Sequence, residues 1–271
     1  MRSPSGLTGA ILIAILTIIT VLSALGLLPY DPLAQDPPSR MLGPSLDHLF
    51  GTDQFGRDVF SRVATGVANS ALISVVAVAF ATVIGTFAGL IAGFFRGVWD
   101  GMIGGVTNVL FAFPPLLLAL ALVSVFERNW LTIAIAIAIV YIPIFIRVTR
   151  GPVLSLREIE YVKAATSTGQ SRIMVMFNHV LPNITSIIII QVTLSLSWAV
   201  LTEASLSFLG LGTPPPAPSL GSMIFEARSL VYIAPWTMVF PGLVVIALVV
   251  GLNLLGDGLR DVLDPRNRGK K

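Results

Sequence analysis

The sequence predicts an all-α, polytopic membrane protein: six transmembrane helices with a cytoplasmic helical hairpin between the fourth and the fifth. Three observations carry that prediction. Of 271 residues, 55% are hydrophobic and 11% are charged, where a soluble domain carries roughly 25% charged side chains. The mean hydropathy is +0.88. Residues 7–29, 70–95, 101–126, 129–146, 173–202 and 229–256 contain no charged side chain, and a bilayer core of ~30 Å needs about 20 apolar residues of helix. These runs are continuous rather than alternating, so the backbone groups are satisfied in lipid by helices and not by the strands of a barrel.

Taken in order, the first run (7–29) reads as a retained span. Arg2 precedes it as in a signal peptide, but its apolar stretch exceeds the usual ~7–15 residues and no small-residue cleavage site follows. The segment 30–69 is long, with prolines at 29, 32, 37, 38 and 44 that keep its first half extended or turned. Its second half, Gly51 to Arg62, reads as a turn leading into a short interfacial helix. The second span covers 70–95 and a tight loop at 96–100 follows. The third span covers 101–126, and Pro114-Pro115 predict a kink or break within it. The fourth covers 129–146. The fifth starts near Asn183 and covers 183–202; its Ile187–Ile190 run has strand propensity, but twenty uncharged residues in succession are too long for a strand. A proline-rich loop at 211–228 leads to the last span, 235–256. No repeat is evident and no separate soluble unit fits, so residues 1–271 form a single membrane domain.

Lysine and arginine distribution sets the orientation. With a cytoplasmic N-terminus, the inside segments hold Arg2, Arg96, Arg147, Arg150, Arg157, Lys163, Arg172, Arg260, Arg266, Arg268, Lys270 and Lys271. The outside segments hold Arg40, Arg57, Arg62, Arg128 and Arg228. Twelve against five places both termini and the 150–182 region in the cytoplasm. The charges sit beside spans, so the net charge of +3 implies membrane and not nucleic acid. The chain has no cysteine, which removes disulfides and thiolate chemistry. His48 and His179 fall on opposite faces of the membrane, so no metal site, cofactor site or catalytic residue is expected.

The 150–182 region is a polar island. Leu156, Ile159, Val162 and Ala165 form one stripe of a first helix, with charges around the rest, and Gly169 supplies a left-handed stop. Ser171 then caps a second helix carrying Ile173, Met176, Phe177, Val180 and Leu181, and Pro182 marks the turn into the fifth span. The small Ala164 and Ala165 leave a low-relief surface that another protein can approach. Lys163-Ala164-Ala165, three residues, Gly169, nine residues, His179-Val180-Leu181-Pro182 resembles the cytoplasmic signature of ABC importer permeases. Lys163 and His179 stand where that signature has Glu and Ile. Gly51-Thr52-Asp53 with Gly56-Arg57-Asp58, Phe113-Pro114-Pro115, Glu203 to Gly212 and Asn253 to Pro265 are similar to segments of the dipeptide, oligopeptide and nickel permeases, in the second permease subunit.

That resemblance implies a permease for dipeptides or short oligopeptides, with a nickel chelate or a glutathione-like solute as alternatives. It also implies the partners: a second permease chain, one or two ABC ATPase subunits, an extracytoplasmic substrate-binding protein and lipid in the cytoplasmic membrane of a bacterium or archaeon. No phosphate-binding loop is present, so ATP hydrolysis belongs to separate subunits and the chain is not an enzyme. Glu160, Tyr161, Lys163, Ala164, Ala165, Gly169 and Pro182 are the expected ATPase-coupling residues. Asp53, Arg57, Asp58 and Glu203 are the candidates for an outer gate or a binding-protein contact. Glu203, beside Thr202 and Ser205, reads as interfacial or capped, and Asn253 as a helix–helix hydrogen bond. A self-sufficient channel or secondary transporter is the rival class. It would show ionisable midplane residues or inverted repeats, and neither is evident.

Overall fold

The computed structural model describes residues 4–263. Arg2, Arg266, Arg268, Lys270 and Lys271 of the charge count, and the Asp264-Pro265 end of the tail motif, lie outside them. Among the described residues five helices are long and apolar enough to cross a membrane, or six if a bent pair counts as one span. They are α1 (Pro4–Ala24), α2 (Val59–Phe95), the pair α3 (Gly97–Phe111) and α4 (Pro115–Val125), α5 (Trp130–Leu156), α8 (Leu181–Leu206) and α10 (Trp236–Leu263). Shorter helices α6 (Glu160–Ser167) and α7 (Arg172–Val175) precede α8, and α9 (Leu220–Ala227) precedes α10.

The break at Pro114-Pro115 is real and sharp: α3 and α4 meet at 92°. Proline disfavours helical backbone at the residue before it, so the first half ends at Phe111, and Pro115, with no N–H to lose, opens the second. Neither half crosses ~30 Å alone at 1.5 Å per residue.

Three boundaries differ from the sequence reading. The interfacial helix before the second span does not exist as a separate element, because Asp58 caps α2 directly, its carboxylate accepting from Ser61 N at 2.8 Å. The fourth span continues to Leu156 through Pro143 and Pro152. Its cations are matched there: Arg150 makes two hydrogen bonds to Asp100 at 2.6 and 2.8 Å, and Arg147 lies 4.1 Å over the Phe111 ring. Pro182 does not turn the chain. Residues Met176–Val180 form a wider π-helical turn, the Leu181 N–H reaches back to Met176 O, and helix continues from Arg172 through Pro182 into α8, as far as a kink at Gly210, whose φ is +82°. The shifted hydrogen-bond frame is what accommodates a ring that lacks an N–H.

Packing of α2 on α5 is the closest in the bundle. Gly85, Gly89 and Gly93 recur every four residues, and a Cβ on each would meet α5 at 2.5 Å (Phe145 Cβ), 2.7 Å (Ile146 O) and 2.8 Å (Val153 Cβ). This is the small-residue spacing that lets membrane helices touch backbone to backbone. Around it, buried side chains of α2, α4, α5 and α8 form the central core. A second cluster joins α1, α2, α8, α9 and α10 at the α9 end. A third joins α2, α5, α6, α7 and α8 at the α6 end.

Candidate functional site

Two polar constructions occupy opposite ends of α2, whose 37 residues separate them by about 55 Å. At the α6 end, α5 stops at Leu156, the chain turns through Arg157–Ile159, and α6 begins. Val162 and Ala165 pack inward against Leu90, Phe94, Val153, Val175, Met176, Val180 and Ile184. At 100° per residue, those two buried positions leave Glu160, Lys163, Ala164 and Ser167 on the outermost ridge, and all four are exposed. Ala165 therefore does not share the surface expected of it, and Ile159, placed on the inward stripe by spacing, is 43% exposed in the turn before the helix.

The helix ends as Gly169 predicts. Its φ is +87°, Gln170 N bonds to Ala165 O and Gly169 N to Thr166 O, which is a Schellman stop. Ser171 caps α7 through Met174 N at 3.3 Å. Tyr161 lies on the flank facing α8: its hydroxyl accepts from Asn183 Nδ2 at 3.1 Å, and its ring meets His179 edge-on, 6.4 Å between centroids. His179 in turn bonds Gln170 at 3.2 Å. The Asn183 amide also donates to His179 O at 2.6 Å, a carbonyl in the last turn before Pro182. Lys163 pairs with Glu158 at 3.0 Å, and Arg157 reaches the same carboxylate at 3.2 Å. The hydrogen bond from Lys163 holds the Glu158 carboxyl below its ordinary range, and the charges of Lys163 and Arg157 add to it.

At the other end, Thr52 and Asp58 face each other in an antiparallel bridge around a turn whose tip, Gly56, has φ +74°. Asp53 Oδ1 accepts from Phe55 N and Arg57 N, and its Oδ2 lies 2.6 Å from Arg57 Nε. Arg57 and Arg62 both reach Glu226 of α9, at 3.1 and 3.2 Å. Arg62 is 2% exposed, and Asp58 also pairs with His48 at 3.0 Å. Asp53, Arg57 and Asp58 are thus buried in ion pairs that fasten the 30–58 segment to α2 and α9. They present no free surface, and Glu226, the acid that joins the two arginines, was not singled out by the sequence.

Glu203 is hydrogen-bonded inside the protein and does not face solvent. It is fully buried between α2, α8 and the start of α9. Its Oε1 accepts from Ser207 at 2.7 Å, and the hydroxyls of Ser70 and Ser219 face the carboxylate without closing on Oε2. Ser219 is the N-cap of α9 in a capping box with Ser222. Thr202 and Ser205 turn the other way. Asn253 makes no hydrogen bond among the described residues, and no three metal-ligating side chains cluster among them.

The flank to which Thr202 and Ser205 turn is the wall of a cavity of about 580 Å³ between the α3–α4 break, α5 and α8. Gln191, Ser195, Trp198, Thr202 and Ser205 line it from α8, and Tyr141 from α5. Sequence reasoning passed over this set. The available signal was the recurrence of Gln191, Ser195, Thr202 and Ser205 at intervals of four, seven and three, all on one helical face.

Residues 85–269 match the family described as binding-protein-dependent transport system inner membrane component. The dipeptide transport system permease protein DppC of Alkalihalophilus pseudofirmus is 42% identical over 231 residues, 85% of this chain and 76% of that protein. The glutathione transport system permease protein GsiD of Shigella flexneri is 44% identical over 261 residues, 96% of this chain and 86% of that one. GsiD of Escherichia coli is 43% identical over the same length. In fold, the chain is similar to an inward-facing structure of the MetNI methionine ABC transporter, with a TM-score of 0.60 at 17% identity, covering 73% of this chain and 94% of that one. The chain belongs to the family of binding-protein-dependent transport system inner membrane components and is an ABC importer permease of the dipeptide and oligopeptide type.

Proposed function

We propose that this permease moves dipeptides or short oligopeptides into the cytoplasm, and that a separate ATPase drives it through α6. The observation that carries the coupling is the construction of α6 itself. One face is seated on α2, α5 and α8, and the opposite ridge of Glu160, Lys163, Ala164 and Ser167 stands clear of the bundle. A helix held rigidly on one side and bare on the other fits a groove in a second protein. Ala165, Gly169 and Pro182 serve the coupling from inside: Ala165 seats the helix, Gly169 ends it, and Pro182 lies where force enters α8. Tyr161 ties the flank of α6 to Asn183.

The lysine and arginine bias supports a cytoplasmic position for α6 and both termini, with Asp53, Arg57, Asp58 and Glu226 on the outside. There the ion-paired segment braces the outer mouth, where an exported binding protein delivers substrate. The exposed apolar faces of α1 (Ile11, Ile15, Ile18) and α3 (Trp99, Met102, Val106) suit lipid and a second permease chain. Glutathione, itself a small peptide, is the second reading, favoured by the identity to GsiD over 96% of the chain.

The absence of native cysteine supplies the test. Ala164→Cys is combined with single cysteines in the surface groove of each co-expressed ATPase, and crosslinking is followed with and without ATP. A crosslink whose yield changes with nucleotide is expected. No crosslink to any ATPase, from inserted protein, overturns the coupling assignment. Uptake of labelled dipeptide against labelled glutathione by the assembled complex then separates the two substrates.

A further inference from the structure

We infer that the cavity between the α3–α4 break, α5 and α8 is a subsite for the peptide in transit, and that it holds the peptide by its backbone amides and not by its charges. This rests on the importer reading above and goes beyond it in naming the wall that substrate touches.

The cavity is placed for that role. Tyr141 stands 11 residues into α5, about 16 Å along the helix and so near the middle of a ~30 Å hydrocarbon layer. The 92° break between α3 and α4 opens the space and puts Phe111 and Phe113 on its rim. Its volume of about 580 Å³ falls within the ~300–1,000 Å³ of small-molecule sites.

The hydrogen-bond accounting gives the ligand class. Thr202 Oγ1 donates to Trp198 O at 2.8 Å, so in the 3.2 Å pair between Tyr141 and Thr202 the phenol is the donor. Ser205 donates to Leu201 O at 2.7 Å. Gln191 Nε2 donates to Ser195 Oγ at 3.1 Å. What remains open is the second N–H and the Oε1 of Gln191, and acceptor lone pairs on Thr202 and Ser205. That residue of donors and acceptors would be wasted against lipid, where each unmet group is costly. It is the complement of an amide group, which brings one N–H and one C=O.

The second half of the inference comes from charge. No lysine, arginine, aspartate, glutamate or histidine lines the cavity. In this surrounding an ion on the wall would select strongly, since Coulomb energies grow as the dielectric falls. A wall of neutral dipoles and aromatic edges treats Lys-Lys and Glu-Glu nearly alike. Trp198, 61% exposed, supplies an apolar face for whichever side chain the peptide carries.

The test places an ion where the wall has none. The complete complex, with both permeases, the ATPases and the binding protein, is reconstituted in vesicles and offered Lys-Lys and Glu-Glu together, so the import ratio is its own control. Gln191→Glu, close in shape to the native side chain, is expected to raise the Lys-Lys to Glu-Glu ratio roughly tenfold over wild type, and Gln191→Lys to lower it by a similar factor. Trp198→Ala, at the exposed rim, is expected to raise import of Trp-Trp relative to Ala-Ala, and it carries the test if neither Gln191 variant assembles. Ratios equal to wild type in every variant that assembles, whether total import stands or falls, overturn the assignment and leave the cavity to a helix of the partner permease. A wild-type complex that imports none of these peptides overturns the importer reading itself, which is a different result.

Discussion

Glu203 shows how much a single side chain can hold in a bundle that is otherwise apolar. Its carboxylate accepts a hydrogen bond from Ser207 and faces two hydroxyls that in turn serve α9: Ser70 accepts from Leu220 N at 3.3 Å, and Ser219 from Ser222 N at 3.2 Å. The start of α9 is thus bonded directly to α2 beside this acid, which α8 supplies. Glu203→Ala would leave the buried Ser207 hydroxyl without its acceptor, a loss of about 1–3 kcal/mol by the usual cost of an unmet buried group, with the emptied volume adding to it. Glu203→Gln keeps an acceptor and nearly the same shape, so its loss should be the smaller of the two. Thermal unfolding of the purified permease in detergent orders the pair. Equal melting points for wild type and Glu203→Ala would show that α9 does not depend on this acid.

Among elements, the α2–α5 contact sets the spacing of the bundle, and it is the one most exposed to a small change. A methyl group on Gly89 would stand 2.7 Å from Ile146 O and 2.7 Å from Thr149 Cβ, so Gly89→Ala should cost about 1–3 kcal/mol through overpacking. Gly89→Leu should prevent α5 from seating at all. Gly101, with nothing within 4 Å of its notional Cβ, is the matched control, and Gly101→Ala should leave the melting temperature within experimental scatter. A Gly89→Ala variant as stable as wild type would mean that the two helices separate at no cost. The elements differ in how far they could be read from sequence. Existence of the spans was legible because hydrophobicity over ~20 residues is a property of the chain alone, as were the Gly169 stop and the Pro114-Pro115 break, where one residue type decides the backbone. Boundaries were not, because α5 and α8 continue past the membrane on tertiary contacts: Arg150 on Asp100, and the π-turn that absorbs Pro182. Nor was the inward turn of Glu203, since facing depends on which flank α2 and α9 occupy. The polar stripe from Gln191 to Ser205 was present in the sequence but carried no signal until a cavity stood beside it.

For the molecule as a whole, the helix that runs from Arg172 to the kink at Gly210 is the feature that joins its two ends. At 1.5 Å per residue it is about 60 Å long, twice the hydrocarbon thickness. Its first turns pack with α6 through Val175, Met176 and Val180, its middle lines the cavity through Gln191 to Ser205, and its far end carries Glu203 and the bond from Arg128 to Gly210 O at 2.7 Å. On the coupling proposed above, a displacement imposed on α6 would reach the cavity along one helical body, which bends only at Gly210 beside the α9 brace. The π-turn is the only departure from α geometry on the α6 side of the cavity, and its exposed members, Phe177 and Asn178, can be changed without opening the core. Phe177→Gly with Asn178→Gly, each costing about 1 kcal/mol of helix stability, would turn the stiff joint into a soft one. The crosslink from Ala164→Cys to the ATPase should then persist, because the α6 ridge is untouched, and ATP hydrolysis should continue while peptide import falls at least fivefold. Import at the wild-type rate in that double variant would place transmission elsewhere, in the glycine-packed pair of α2 and α5 that also meets α6. Loss of the crosslink together with import would instead show that the α7 segment is needed to hold α6 in place.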